Sequence, residues 1–497
     1  MLQAVDLLVI GGGINGAAIA RGAAGRGART MLVEKDDLAG HTSSASTKLI
    51  HGGLRYLEQY EFRLVSEALA ERERLMKAAP HLIRPLEFIL PQSAQMRPAW
   101  MMRIGLLMYD WIGGRSQLPR SKAVRLDVAP YAGELQAQFR KGFSYSDCWG
   151  DDSRLVVANA QDAAERGALI LTRTELVRAE RQAGGWEVVL KDDAQGEFTV
   201  TAKAIVNATG SWAADILQQL AGARQVNPLR LIKGSHIVTK RLFAGEHAFL
   251  LQNPDGRVIF AIPYETDFTL IGTTDVDWEG PRDTVEIDAE ETRYLCESVN
   301  RWLAAQITPA DIVRSYSGLR PLYDDDSDDP SQISRDYVLS LDEAEGEGAL
   351  LSVFGGKITT HRALAEHAMD KVAPLIGDLG PAWTDGAVFP GGDVGSAGLD
   401  GLAAEIAAKW PFLDGHSVRR IAESYGSRAE RWLGSSASWA DLGTSFGHGL
   451  TSAEVDYLVA HEWARTSDDI LWRRSKLGLR LSAAERDALD AYLGAAA

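Results

Sequence analysis

The sequence predicts an α/β protein: a βαβ unit at the N-terminus, a β-rich insert in the middle and a helical C-terminal region. Three observations predict it. An apolar strand runs straight into a glycine turn and a helix within residues 5–37. Further strand patterns recur between residues 186 and 272. A Gly/Pro-rich stretch at 380–398 is followed by apolar residues at helical spacing. At 497 residues the chain exceeds what one core organises, and its 45% hydrophobic and 24% charged residues are those of an ordinary globular protein.

Val5–Ile10 reads as a strand, Gly11–Gly16 as a tight turn, Ala17–Gly25 as a helix and Ala28–Glu34 as a second strand. Residues 61–78 carry helical patterning. Residues 186–190 and 198–206 flank the turn Asp192–Gly196, and the second of these strands ends at Val206-Asn207-Ala208-Thr209-Gly210. Strands are expected again at Ser235–Thr239, Val258–Pro263 and Phe268–Gly272. Six glycines and two prolines between Gly380 and Gly398 mark a connector. Beyond it, Thr451 with Glu454 and Ser482 with Glu485 have capping-box spacing. The expected division is discontinuous: 1–80, 150–225 and 340–385 form one domain, 81–149 and 226–339 a second, and 391–497 a helical third. The acidic run Asp324–Asp329 reads as a solvated loop.

A formal net charge of −16 argues against broad nucleic-acid binding, which needs Lys and Arg to neutralise phosphates. Cys148 and Cys296 are too few for a disulfide framework, and no His/Cys/carboxylate group has metal-ligand spacing, so no metal is expected. The chain enters its first strand with no basic, cleavable leader, and no apolar run reaches eighteen residues, so a cytoplasmic protein without a spanning helix is expected.

Gly11-Gly12-Gly13-Ile14-Asn15-Gly16 is a G-x-G-x-x-G turn between strand and helix, and Glu34 follows Gly16 by eighteen residues at the end of the second strand. Glycines let the backbone approach a pyrophosphate, the helix N-terminus favours its charge, and the carboxylate accepts from a ribose hydroxyl. A dinucleotide site follows. The acidic residue disfavours NADP but does not separate FAD from NAD.

The segment Thr42-Ser43-Ser44-Ala45-Ser46-Thr47-Lys48-Leu49-Ile50-His51-Gly52-Gly53-Leu54-Arg55-Tyr56 closely resembles the flavin-contacting loop of the FAD-dependent glycerol-3-phosphate dehydrogenases. Four more stretches resemble the same family: Arg230 to His236, Ile271 to Asp275, Ser317 to Leu322, and Ser352 to Thr360. The likeness continues at His461-Glu462-Trp463 and Asp469 to Arg474, and is nearest to the aerobic, respiratory branch. It implies a FAD-binding fold of the glutathione-reductase type related to D-amino-acid oxidase, with a substrate domain over the flavin and a helical cap. Non-covalent FAD is then expected along Gly11, Gly13, Ile14, Asn15, Gly16 and Glu34, along Thr42, Ser43, Ser46, Lys48 and Leu49, at Thr209 and Gly210, and along Gly355, Gly356, Lys357, Ile358 and Thr359. His41 departs from the family pattern. It raises covalent attachment as an alternative, although a hydrogen-bonding histidine is the commoner state.

The reaction implied is oxidation of sn-glycerol 3-phosphate to dihydroxyacetone phosphate, with the electrons passing to ubiquinone or menaquinone. It needs a phosphate seat and a base. Arg55, Arg320, Arg335 and Lys357 lie in the family-like motifs, and a guanidinium suits bidentate phosphate binding. His236 is favoured as base, His51 competes with it, and Tyr56 is expected to orient substrate. Three alternatives stay open: an oxidase that gives peroxide, a flavoprotein with a non-redox role, and amino-acid oxidation on the related fold.

A quinone reductase without a spanning helix must touch the bilayer from the side. Between Arg97 and Arg125 the bases Arg97, Arg103, Arg115, Arg120, Lys122 and Arg125 face one acid, Asp110. Trp100, Ile104, Leu107, Met108 and Trp111 recur there at helical spacing. Such a stripe either enters the headgroup boundary at the inner face of the cytoplasmic membrane or packs inward as core. Arg473-Arg474-Ser475-Lys476 is a second candidate for the membrane face. A homodimer is left open.

Overall fold

The computed structural model describes residues 3–58, 60–93, 96–221, 229–323 and 336–496. Arg335 and the acidic run 324–329 lie outside the described residues. Among the described residues a nine-stranded sheet carries the N-terminal unit. Its strand Gln3–Ile10 lies parallel to Gly196–Asn207 on one side and to Thr30–Glu34 on the other. Val5, Leu7, Leu8, Val9 and Ile10 are all buried, as a parallel strand covered on both faces requires. The helix Ile14–Gly25 (α1) returns over this sheet, its alanines packed against Asp152–Glu165 and His361–Ile376. Ala349–Phe354 adds to the C-terminal end of Gly196–Asn207 in parallel, which brings the segment after it beside the glycine turn.

The second sheet has ten strands among the described residues. Leu229–Lys240 runs antiparallel between Phe268–Gly272 and Ile312–Tyr323, so His236 faces Gly272 on one neighbour and Tyr316 on the other. Leu49–Ile50, from the middle of the polar loop, also pairs into this sheet against Cys148 and Trp149. One continuous loop thereby leaves the first sheet and ends in the second.

The expected strands and the helix at 61–78 form, the latter as Phe62–Ala78 (α2). C-terminal helices gather around Trp410, Tyr425, Leu458 and Ile470. Ser482 and Glu485 make the expected reciprocal cap. Thr451 and Glu454 do not. The Glu454 carboxylate instead takes the buried Arg420 guanidinium and the Tyr425 hydroxyl, because an unpaired guanidinium in this core costs more than an uncapped turn. Arg473-Arg474-Ser475-Lys476 is also inward. Arg474 pairs with Asp37, Arg473 with Asp37 and Asp468, and Lys476 with Asp151, so these charges join the third region to the first and form no membrane face.

The helix Ala99–Ile112 (α3) buries Leu106 and Tyr109 and turns the opposite stripe outward. Trp100 is 64% exposed, Ile104 49%, Leu107 40%, Met108 42% and Trp111 59%. Among the described residues no helix is long and apolar enough to cross a membrane.

Candidate active site

Gly11 to Gly16 turn the chain from strand into α1, and the packing shows why side chains are excluded. A Cβ on Gly16 would sit 1.9 Å from the Gly11 carbonyl oxygen, and one on Gly11 would sit 2.6 Å from that of Ala208. Glu34 closes the far end of the turn, accepting the Gly12 N–H at 2.6 Å and the Asp36 N–H at 2.8 Å. Burial raises its pKa against these two hydrogen bonds. Ser43 Oγ accepts the Ile14 N–H at 3.0 Å, and Asn15 donates to the Gly355 carbonyl at 3.2 Å.

A cleft of 340 Å³ follows, lined by Gly11, Gly13, Ile14, Asn15, Glu34, Thr42, Ser43, Thr209, Gly210, Trp212, Gly355 and Gly356. A second cavity of 290 Å³ continues from it, the two sharing Ile14, Thr42, Ser43, Pro321 and Gly356. The pair forms one long channel from Glu34 to His236. Its first part fits a dinucleotide: a helix N-terminus for the pyrophosphate, a carboxylate for the ribose, and two buried polar atoms, Asn15 Oδ1 and Ser211 Oγ, with no hydrogen-bond partner among the described residues.

The second cavity collects Thr47, His51, Arg55, Tyr56, His236, Arg320, Lys357 and Thr359. Two glycines make the room. A Cβ on Gly234 would lie 2.3 Å from Arg320 Nη2, and one on Gly272 would lie 2.2 Å from the His236 ring. Arg320 pairs with Asp275 and donates to Thr273 Oγ1 at 3.0 Å. Lys357 Nζ stands 3.7 Å from the centre of the Tyr56 ring, and the residue precedes the turn Ile358–Thr360 that leads into the helix His361–Ile376. His236 is 2% exposed, and burial, with Arg320 and Lys48 nearby, holds its pKa well below the usual histidine value. The His51 N–H is anchored by Thr359 Oγ1 at 3.2 Å.

The structure therefore brings Arg55, Tyr56, His51, His236, Arg320 and Lys357 together, with Ser46, Leu49, Ile358 and Thr359 on the same walls. Gly16 is packed beneath the turn without lining either cavity. Lys48 turns away. Its ammonium is buried on Asp152 at 2.8 Å and on the Ser44 carbonyl at 3.0 Å; burial pushes its pKa down, but Asp152, Tyr316 and Asp151 together raise it above the usual lysine value. His41 Nε2 lies 2.7 Å from Asp36, and its ring is 4.5 Å from that of Trp212. Glu34, Asp36 and His41 are close enough together to share a cation geometrically, yet their atoms are already joined by hydrogen bonds to backbone and to one another. Thr47 and Asp275 fall in the family-like stretches without a role, and Tyr316 and Asp152 outside them, because the partners that give them meaning lie scores of residues away.

A dinucleotide channel that opens on a cation-lined cavity with a buried histidine defines a flavin-dependent oxidoreductase, and residues 6–362 match the FAD dependent oxidoreductase family. Residues 382–497 match the C-terminal domain of alpha-glycerophosphate oxidase. The chain is 50% identical over 493 residues to a glycerol-3-phosphate dehydrogenase of Pseudomonas aeruginosa, covering 99% of this chain and 96% of the relative. It is 48% identical to the aerobic glycerol-3-phosphate dehydrogenase of Escherichia coli, covering 99% and 98%. It is equally, 48%, identical to a D-erythritol 1-phosphate dehydrogenase of Brucella abortus, covering 98% and 97%. The crystal structure of a glycerol-3-phosphate dehydrogenase from Bacillus halodurans complexed with FAD superposes with a TM-score of 0.74 at 26% identity, covering 99% of this chain and 94% of that one. The chain belongs to the FAD-dependent glycerol-3-phosphate dehydrogenase family, and its cofactor is FAD.

Proposed function

We propose that the chain oxidises sn-glycerol 3-phosphate at C2 to dihydroxyacetone phosphate and delivers the electrons to a membrane quinone. The observation that carries this reading is the gathering of Arg55, Arg320 and Lys357 around His236 at the inner end of the FAD channel. In this reading segments 1–80, 150–225 and 340–385 hold the cofactor, 81–149 and 226–339 the substrate, and 391–497 caps them.

Bound FAD supplies a hydride acceptor. The chain supplies the rest. Arg320 and Arg55 bind the phosphate, with Asp275 keeping the Arg320 fork aimed into the cavity. Arg335 is carried as a third phosphate ligand on the resemblance alone. Tyr56 and Lys357 form one wall against which the substrate is oriented. His236 takes the C2 hydroxyl proton, since its buried ring stays neutral where a free histidine would be partly charged. His51 is the competing base.

The outward apolar stripe of α3, with Arg97, Arg115, Arg120, Lys122 and Arg125 exposed around it, supports a peripheral seat on the inner face of the cytoplasmic membrane. Two other readings have specific support. The C-terminal match to an oxidase favours oxygen as acceptor, and the Brucella relative favours a four-carbon polyol phosphate. Anaerobic titration of the purified flavoprotein with glycerol 3-phosphate and with erythritol 1-phosphate, followed by flavin absorbance, tests the substrate. Reoxidation by a soluble quinone against dissolved oxygen tests the acceptor. Bleaching by neither phosphate ester would end the proposal.

A further inference from the structure

The polar contacts of His236 are few. Nε2 lies 2.9 Å from Thr47 Oγ1. Nδ1 is buried with no hydrogen-bond partner among the described residues, so the ring exchanges hydrogen bonds only through Nε2. Nor is it free to turn. Tyr316 stacks on its face at 4.9 Å and 18°, and Gly272 lies against its edge. With the ring hydrogen on Nδ1, the basic nitrogen is Nε2, the atom that already meets Thr47.

Thr47 is held as firmly as the ring it meets. The Tyr316 hydroxyl donates to the Ser46 carbonyl at 2.9 Å, and Ser46 Oγ donates to Asp152 at 2.7 Å. On the other side Lys48 is fixed to the same carboxylate. Between these two anchors Thr47 lines the cavity that also holds Arg55, Arg320 and Lys357. A hydroxyl can donate one hydrogen bond while accepting another. A histidine lone pair can accept only one.

We propose that Thr47 relays the proton: its Oγ1 accepts the substrate C2 hydroxyl and passes its own hydrogen to His236 Nε2. The inference rests on the assignment of His236 as base. In the balanced step the C2–H bond breaks and its hydride leaves for the flavin. The C2–O–H proton moves to Thr47 Oγ1 as the Thr47 proton moves to Nε2. C2 becomes a carbonyl, Thr47 ends as the hydroxyl it began as, and His236 ends protonated until it exchanges with water. Tyr316 is a positioning residue, touching the ring and the loop but not the substrate.

The test is a double-variant cycle on the FAD-loaded protein: Thr47→Val, Thr47→Ser, His236→Ala and Thr47→Val with His236→Ala. The measurements are the anaerobic rate of flavin reduction by glycerol 3-phosphate, the FAD content and the affinity for dihydroxyacetone phosphate. Thr47→Val is expected to slow reduction roughly 10²–10³-fold with FAD content and product affinity retained, within the usual range for a proton-transfer partner. Thr47→Ser should restore the rate to within several-fold, and the double variant should be no slower than His236→Ala. A proton inventory on the unaltered protein in mixed H2O and D2O should curve, since two protons move together. A linear inventory, a wild-type rate in Thr47→Val beside a slow His236→Ala, a failure of serine to rescue, or losses that multiply in the double variant would each overturn the relay. A wild-type rate in His236→Ala overturns something different, the assignment of the base, and the relay falls with it.

Discussion

The Gly52 N–H donates to the Tyr109 hydroxyl at 2.8 Å, and that hydroxyl donates in turn to Asp147 at 2.8 Å. Tyr109 is on the buried side of α3, whose outer side is the exposed apolar stripe, while Gly52 lies between His51 and the cavity residues Arg55 and Tyr56. One side chain thus joins the surface helix to the wall of the cavity that holds His51, Arg55 and Tyr56. Tyr109→Phe keeps the ring and leaves Asp147 paired with Arg72 at 2.7 Å. It strands the buried Gly52 N–H, at an expected cost of about 1–3 kcal/mol in stability and with a raised KM for substrate. Denaturant unfolding and steady-state kinetics measure both, and a variant as stable as the parent would show that the bond contributes nothing.

Only a neutral imidazole accepts a proton, and the His236 pKa is lowered from the ordinary 6.5 by burial first and by Arg320 and Lys48 after it. As pH falls through 6.5 the folded ring therefore stays neutral, and protonation comes only well below. The rate of flavin reduction is expected to hold level down past pH 6.5 and to fall in more acidic buffer. An acid limb centred at the ordinary histidine value would remove His236 as the base.

Much of the framework is legible in the sequence, because it is written in local pattern. Gly11 to Gly16 and Glu34 announce the turn and its partner strand within twenty-four residues, and the structure joins Gly12 to Glu34 by a hydrogen bond. The cations Arg55, Arg320 and Lys357 come from three separate motifs, and their meeting in one cavity is a property of the two sheets. What stays hidden depends on pairing at a distance. The Lys48 ammonium is taken by Asp152 across more than a hundred residues, and Arg473 to Lys476 look like a basic surface until Asp37 and Asp151 bury them. Thr47 gains meaning only because register sets His236 opposite Tyr316 and Gly272.

Arg320 is in contact with Asp275 and Thr273, so its fork is oriented before any ligand arrives. Arg320→Ala is expected to keep FAD and to lower kcat/KM by the equivalent of about 2–5 kcal/mol, the scale of leaving a buried charge poorly paired. Arg320→Lys should recover little, since a single ammonium cannot reproduce the two-pronged contact. Unchanged kcat/KM in Arg320→Ala would take the residue out of the phosphate seat.

His41 Nε2 is engaged with Asp36 and its ring packs on Trp212, which leaves no reason for that nitrogen to attack a flavin. Acid precipitation of the yellow protein is expected to leave FAD in the supernatant. Flavin retained in the washed pellet, and lost from it in His41→Ala, would make the linkage covalent.

The last expectation concerns α3. Trp100, Ile104, Leu107, Met108 and Trp111 are exposed together on one side of a helix, and Tyr60 at 79% and Phe62 at 38% add to the exposed aromatic surface of the chain. Burying such a stripe in a headgroup region is favourable at roughly 25 cal/mol per Å² of apolar surface removed from water. The bases around it serve a second purpose. Arg120 lies over the Trp111 ring and Arg97 sits 3.4 Å from Glu58, while Arg115 and Lys122 are exposed to meet anionic lipid. The half-buried Arg103 is engaged by Ser121, Arg125 pairs with Asp127 at 2.8 Å, and Lys122 lies 4.0 Å from Glu87. The protein should sediment with anionic liposomes and be partly released by high salt, because the charge contribution is screened and the apolar one is not. Trp100→Glu with Met108→Glu should abolish quinone reduction in membranes while anaerobic flavin reduction by glycerol 3-phosphate persists, since neither side chain lines the substrate cavity. A folded double variant that keeps its full rate with membrane quinone would mean that α3 is not the face the bilayer meets.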